Sequence, residues 1–286
     1  MGHKLKLIFL EEGIVKLEEN PGMTDLDKGL ALYDRPEIVY RLFFPRREIA
    51  PDKDGAVNHY VEAAPGISIC CRFFTVHSEA PNIIYFHGNG EIAADYDYVA
   101  PVYGQYGLNL FVADYRGYGG SGGTPTCTAM IKDAHPIFRY FRNHLKEAGY
   151  TGGSFVMGRS LGSAPAIELA FHYPDILKGL IIESGFARAR NQIGRLGVEY
   201  LFEDAGEPVG FGNDLKISDV KIPTLIIHGE WDEIIPATEG RQLFELSGAR
   251  EKMSLFIPRA GHNDIMYQGM KEYMDAVRSF TTRFNT

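Results

Sequence analysis

The sequence holds only three cysteines in 286 residues, Cys70, Cys71 and Cys127. So odd and sparse a set does not build a disulfide framework, and neighbouring positions on a strand would send Cys70 and Cys71 to opposite faces. An excess of positive charge is also missing. With 37 acidic against 29 basic residues the formal charge is −8, which leaves no cationic surface to follow a phosphate backbone, so nucleic acid is not an expected partner. Long hydrophobic runs are absent too. The opening MGHKLKLIFLEEG has only Leu7 to Leu10 before Glu11 and Glu12 interrupt it. A secretory segment needs roughly 7–15 apolar residues and a spanning helix about 20, so neither a leader nor a transmembrane segment is expected. The expectation from these absences is a reduced, cytoplasmic protein.

Several chemical signatures are lacking as well. No G-x-x-x-x-G-K-[ST] occurs, which argues against a P-loop nucleotide enzyme. No histidine pair has helical or strand spacing and no Cys-x-x-Cys exists, so neither a metal site nor another cofactor is expected. There is no internal repeat and no low-complexity tract.

What remains is an ordinary globular composition, 45% hydrophobic and 23% charged, long enough for one large domain. From about residue 82 onward, apolar runs rich in β-formers alternate with segments of helical pattern. Strands are expected over 83–86, 108–113, 154–157, 179–182, 224–227 and 254–257, with helices near 97–106, 129–148, 161–173, 237–246 and 265–284. The strands read as continuous rather than alternating apolar runs, as in a parallel sheet covered on both faces. The expected fold is therefore doubly wound α/β. Before it, the segments 38–44 and 67–74, punctuated by Pro45, Pro51, Gly55 and Pro65, suit antiparallel strands at one edge. Residues 1–32 form an extension without strong periodicity. The stretch 187–221 exceeds a usual connection and carries Tyr200, Phe202 and Phe211, so a small cap or lid is expected there. The whole chain reads as a single domain.

The most specific motif is Gly158-Arg159-Ser160-Leu161-Gly162, directly after a predicted strand and directly before a predicted helix. That setting forces the serine into a tight turn, where glycines avoid the clashes of bulkier neighbours. The following N–H, on Leu161, sits at a helix N-terminus and can support a developing oxyanion. Gly119-Gly120-Ser121-Gly122-Gly123 matches the same pattern but has no strand leading into it, and Thr124-Pro125 follows instead of a helix, so it reads as a flexible loop.

A serine at its normal pKa needs a histidine base oriented by a carboxylate. The strand 224–227 runs into His228-Gly229-Glu230-Trp231-Asp232, and the next strand runs into Pro258-Arg259-Ala260-Gly261-His262. Both deliver their last residues to the carboxyl edge of the sheet. Asp232 is the preferred acid, with Glu183 and Glu230 as competitors, and His262 is the base by order and element. His87 and His228 each precede a glycine at a strand end and read as hydrogen-bonded within their loops. Asp264 reads as a helix cap. A turn at His87-Gly88-Asn89-Gly90-Glu91 can aim a second N–H, that of Asn89, at a substrate carbonyl. The rival reading is Gly88-x-Gly90-x-x-Ala93 as a dinucleotide loop with Asp114 as ribose acid, hence an NAD-dependent oxidoreductase.

Taken in order, His87-Gly88-Asn89-Gly90, Asp114-Tyr115-Arg116-Gly117-Tyr118-Gly119, Gly158-Arg159-Ser160-Leu161-Gly162, His228-Gly229-Glu230-Trp231-Asp232 and Gly261-His262 resemble the α/β-hydrolase superfamily over roughly 83–284. The HGN and DYRGYG forms look most like its depalmitoylase-like branch of serine hydrolases, which includes esterases and thioesterases. The resemblance implies Ser160 as nucleophile, His262 as base, Asp232 as orienting acid, Asn89 and Leu161 as oxyanion donors, and a structural role for Asp114 and Arg116. It further implies a small-molecule or acyl ester or thioester substrate, cleaved through an acyl-enzyme without a cofactor. A non-catalytic binding module on the same fold is the alternative. The sequence departs from the HGNAGN form of that branch by placing Glu91 after Gly90. A carboxylate facing the oxyanion would oppose the chemistry, so Glu91 is predicted to point away from Ser160.

Overall fold

The computed structural model describes residues 29–189, 194, 197 and 210–285. Nearly all of the N-terminal extension, together with Tyr200 and Phe202, lies outside the described residues.

Among the described residues, eight strands form one sheet: β1 Ala56–Ala64, β2 Ile67–Phe74, β3 Asn82–Phe86, β4 Asn109–Ala113, β5 Ser154–Arg159, β6 Gly179–Glu183, β7 Thr224–Gly229 and β8 Lys252–Ile257. Their order is β1-β2-β4-β3-β5-β6-β7-β8. The β1–β2 and β2–β4 pairs are antiparallel and all others parallel, so the two N-terminal strands form the expected antiparallel edge. The helices are α1 Pro36–Leu42, α2 Ala100–Gln105, α3 Cys127–Glu147, α4 Ser163–His172, α5 Asn213–Asp219, α6 Ala237–Leu246 and α7 Ile265–Arg283.

The continuous apolar strands are explained by two cores, one on each face. Ile84, Phe86, Phe111, Val156, Leu180, Ile182 and Ile226 pack with Phe138 and Phe141 of α3 and Ile167 of α4. Their strand neighbours Ile83, Tyr85, Leu110, Phe155, Met157, Ile181 and Leu225 pack with Tyr103 of α2 and Tyr273 and Phe280 of α7. Successive side chains leave opposite faces of a strand, so both need apolar residues when helices cover both sides.

Two expectations are corrected. The segment 38–44 is not a strand, because α1 occupies 36–42. Pro36 at its first turn has the φ that a helix start requires, and Ile38 turns inward while Tyr40 stays exposed. The helix expected at 97–106 is divided into a 3₁₀ turn, Ala93–Asp97, and the shorter α2. Pro101 sits in the first turn of α2, where its missing N–H costs nothing.

Candidate active site

The carboxyl end of β5 leads straight into the Ser160 turn. Ser160 adopts φ +53°, a left-handed conformation that costs a residue with a side chain roughly 1–2 kcal/mol. The flanking glycines are required by contact. A Cβ on Gly158 would lie 2.1 Å from the Gly162 carbonyl oxygen, and one on Gly162 would lie 2.1 Å from the carbonyl oxygen of Phe86 on β3. The second matching motif is a different structure: Ser121 is buried, and its hydroxyl accepts the Cys70 N–H at 2.9 Å. The expected flexible loop is thus pinned to β2.

Ser160, Asp232 and His262 are brought together at one rim of the sheet. His262 Nε2 lies 3.0 Å from Ser160 Oγ, and its Nδ1 lies 2.8 Å from Asp232 Oδ2. All three are buried. The N–H groups of Ile234 and Ile235 donate to Asp232 Oδ1 at 3.0 and 2.7 Å. Burial works against charge on Asp232, but hydrogen bonds from His228 and His262 prevail and hold its carboxyl well below the usual carboxylate range. The competing acids are engaged elsewhere. Glu183 accepts from Arg159 Nε at 3.1 Å and from Tyr273 OH at 2.6 Å, while Glu230 pairs with Arg241 at 2.8 Å. The cysteines offer no rival nucleophile, since burial pushes the Cys70 thiol up to about 11 and also raises those of Cys71 and Cys127.

Asn89 and Leu161 line the same cavity as Ser160. The Asn89 side chain holds its own turn in place: its oxygen accepts the Phe44 N–H at 3.1 Å and the Tyr118 hydroxyl at 2.8 Å, and its amide donates to the Leu42 carbonyl. Asp114 accepts the Ala93 N–H at 2.7 Å and Arg116 forms a bidentate pair with Asp133, both structural roles. This overturns the dinucleotide reading, because a ribose acid must face a ligand, whereas Asp114 is buried and engaged. The glycine turn also opens a 3₁₀ turn rather than a long helix. Asp264 stands at the N-cap of α7, but its carboxylate accepts from Gly261 N and from the Gln268 amide rather than from the first-turn N–H groups.

Three features escaped the sequence reading. Arg159, a variable residue of its motif, links the loops that follow β3 and β8 to the end of β6. It pairs with Glu91 and Glu183 and donates from Nη2 to the His262 carbonyl at 2.8 Å and to Asn263 Oδ1 at 3.0 Å. Glu91, fixed by Arg159, also accepts the Gly88 N–H at 3.0 Å and the Tyr96 hydroxyl at 2.8 Å. It therefore lines a neighbouring cavity of about 310 Å³ rather than the one containing Ser160. The only local hint was Glu91 itself, a charge that required a partner. His228 likewise does more than close its loop: Nε2 donates to the Ile235 carbonyl at 2.8 Å and lies 3.3 Å from Asp232 Oδ2. The third feature is the contribution of residues far upstream, Leu42 and Phe44, to the cavity wall.

That cavity has a volume of about 520 Å³, within the range of about 300–1,000 Å³ common for small-molecule sites. Leu42, Phe44, Leu161, Phe186, Phe211 and Ile235 supply much of its wall, so Phe211 of the expected cap segment does face the site. Arg159 is the cation nearest the serine in sequence, and its charge is taken up by two carboxylates.

Residues 78–203 match the family described as Serine aminopeptidase, S33. The chain is 28% identical over 240 residues to the human alpha/beta hydrolase domain-containing protein 17B, covering 81% of this chain and 77% of that protein. It is 29% identical over 192 residues to Protein bem46 of Schizosaccharomyces pombe, covering 64% of this chain and 62% of that protein. Among solved structures, a Pyrococcus furiosus esterase superposes with a TM-score of 0.67 at 17% identity, covering 84% of this chain and 98% of that one. A monoacylglycerol lipase of Paleococcus ferrophilus does so with a TM-score of 0.55 at 18% identity, covering 76% and 99%. The sheet order and these structural likenesses show the α/β-hydrolase fold, and the family match and the sequence relatives support placing the chain in the α/β-hydrolase superfamily.

Proposed function

We propose that this protein is a serine hydrolase that cleaves a carboxylic ester or thioester through an acyl-enzyme on Ser160. The observation that carries the reading is the continuous hydrogen-bonded chain from Ser160 Oγ through both ring nitrogens of His262 to Asp232 Oδ2, at 3.0 and 2.8 Å. In this mechanism His262 takes the hydroxyl proton as Ser160 attacks the acyl carbon, and Asp232 stabilises the imidazolium while fixing its tautomer. The tetrahedral oxyanion is held by the N–H groups of Asn89 and Leu161, which border the cavity beside Ser160. His262 then returns the proton to the leaving alcohol or thiol, and a water deprotonated by the same ring releases the acid. The apolar wall beside Ser160 suits an apolar acyl group. The pairing of Glu91 with Arg159 supports the oxyanion role by keeping a negative charge out of that cavity.

Fluorophosphonate labelling of wild type and Ser160→Ala, read by intact mass, tests the activated nucleophile without requiring the natural substrate. A single adduct on the wild type that disappears in the variant supports the assignment. A folded wild type that takes up no probe favours the non-catalytic binding module.

A further inference from the structure

Outside the Ser160 site, the packing of α3 on α4 joins three side chains drawn from two separate helices. Glu168 and His172 stand one turn apart on α4, and His135 reaches them from α3. His172 Nε2 lies 3.0 Å and His135 Nε2 3.3 Å from the same carboxylate oxygen, Glu168 Oε1, and all the candidate ligand atoms lie within 4.8 Å of one another. A tetrahedral zinc ion with bonds of about 2.0–2.2 Å holds its ligand atoms about 3.3–3.6 Å apart, so the His135–Glu168 separation already matches and the His172–Glu168 one needs only a small opening.

We propose that His135, Glu168 and His172 form a three-ligand site for a zinc-class divalent metal, separate from the Ser160 centre. Two imidazoles with one carboxylate select such an ion over magnesium or calcium, which take all-oxygen sets. The remaining position is left for water. Glu168 is buried, whereas the side chains of His135 and His172 are 23% and 28% exposed, so an ion reaches the site without opening the core. His135 Nδ1 lies 2.9 Å from the Tyr173 hydroxyl, the outer partner that fixes ring orientation once Nε2 turns its lone pair to a metal.

The second carboxylate oxygen, Oε2, is 2.6 Å from the Lys216 ammonium, which also donates to the Phe211 carbonyl at 2.7 Å. Lys216 thus takes one oxygen and leaves the other to the two rings.

The test is titration of the full metal-free chain with zinc chloride by calorimetry, with bound zinc counted after desalting, for wild type, His135→Gln and His172→Gln. One equivalent on the wild type, with affinity reduced on the order of 100-fold or more in each folded variant, is expected. X-ray absorption of the zinc-loaded wild type should display two imidazoles, a readout that does not depend on the variants folding. Absence of stoichiometric uptake would mean a hydrogen-bonded cluster only and would overturn the proposal. Uptake unchanged in both variants, or an absorption spectrum without imidazole ligands, would do the same.

Discussion

The φ of +53° at Ser160 has a measurable consequence that separates conformational strain from chemistry. Ser160→Ala and Ser160→Gly both remove the hydroxyl and its bond to His262, so the lost interaction cancels when the two are compared. The alanine retains a Cβ in the left-handed region, at a cost of roughly 1–2 kcal/mol, whereas glycine adopts it freely. Glycine in turn loses about 0.5–1 kcal/mol through its greater freedom in the unfolded chain. Averaging the two ranges leaves the glycine variant more stable than the alanine variant by about 0.7 kcal/mol, the reverse of the order at an ordinary position. For a chain of this size the difference amounts to roughly 1–3 °C in Tm. Urea titration and calorimetry of the two variants measure it, while kcat for both falls by a factor on the order of 10⁶ under the proposed mechanism. An alanine variant as stable as the glycine variant, or more so, would refute the assignment of strain to the serine turn.

Gly162→Ala should destabilise the protein by about 3 kcal/mol or more, seen as a lower urea midpoint, because its Cβ would stand 2.1 Å from the Phe86 backbone carbonyl and that neighbour cannot swing aside. A midpoint equal to that of the wild type would contradict the contact. Arg159→Met should leave Glu91 and Glu183 without their shared cation, at a cost of about 3–5 kcal/mol, and Glu91→Gln combined with it should recover part of the loss. Additive losses in the double variant would argue that Glu91 is not coupled to Arg159. Asp232→Asn should lower kcat by about 10⁴ in an ester assay, through the wrong tautomer of His262. Because the folded pKa of Asp232 is depressed, its carboxylate contributes stability above the unfolded value of about 3.9 and loses it as pH falls further. The stability gap between wild type and Asp232→Asn should therefore narrow below about pH 4. A gap that widens on acidification would reverse that sign.

The parts of the site carried by short stretches of chain are legible in the sequence. A strand, a serine between two glycines and a helix specify the turn at Ser160, because the steric demand of that turn acts within five residues. The continuous apolar strands likewise announced a sheet covered on both faces. Segment 38–44 was misread because its apolar residues suit either a helix or an edge strand over so short a span, and the helix is decided by Pro36 together with the burial of Ile38.

Thus the sequence by itself determined the doubly wound architecture and the order in which Ser160, Asp232 and His262 reach one rim, since periodicity and turn chemistry are local properties of the chain. Only the tertiary structure decided which acid faces His262. Asp232, Glu183 and Glu230 all sit at or just beyond strand ends, and the choice depends on Arg159 and Arg241 engaging the other two. Tertiary packing also directed Glu91 to Arg159 and joined His135 to Glu168 and His172 across two helices. Charges pair through space, and the separations that decide these pairings, 24 residues between Arg159 and Glu183 and 33 between His135 and Glu168, leave no local trace for a sequence to display.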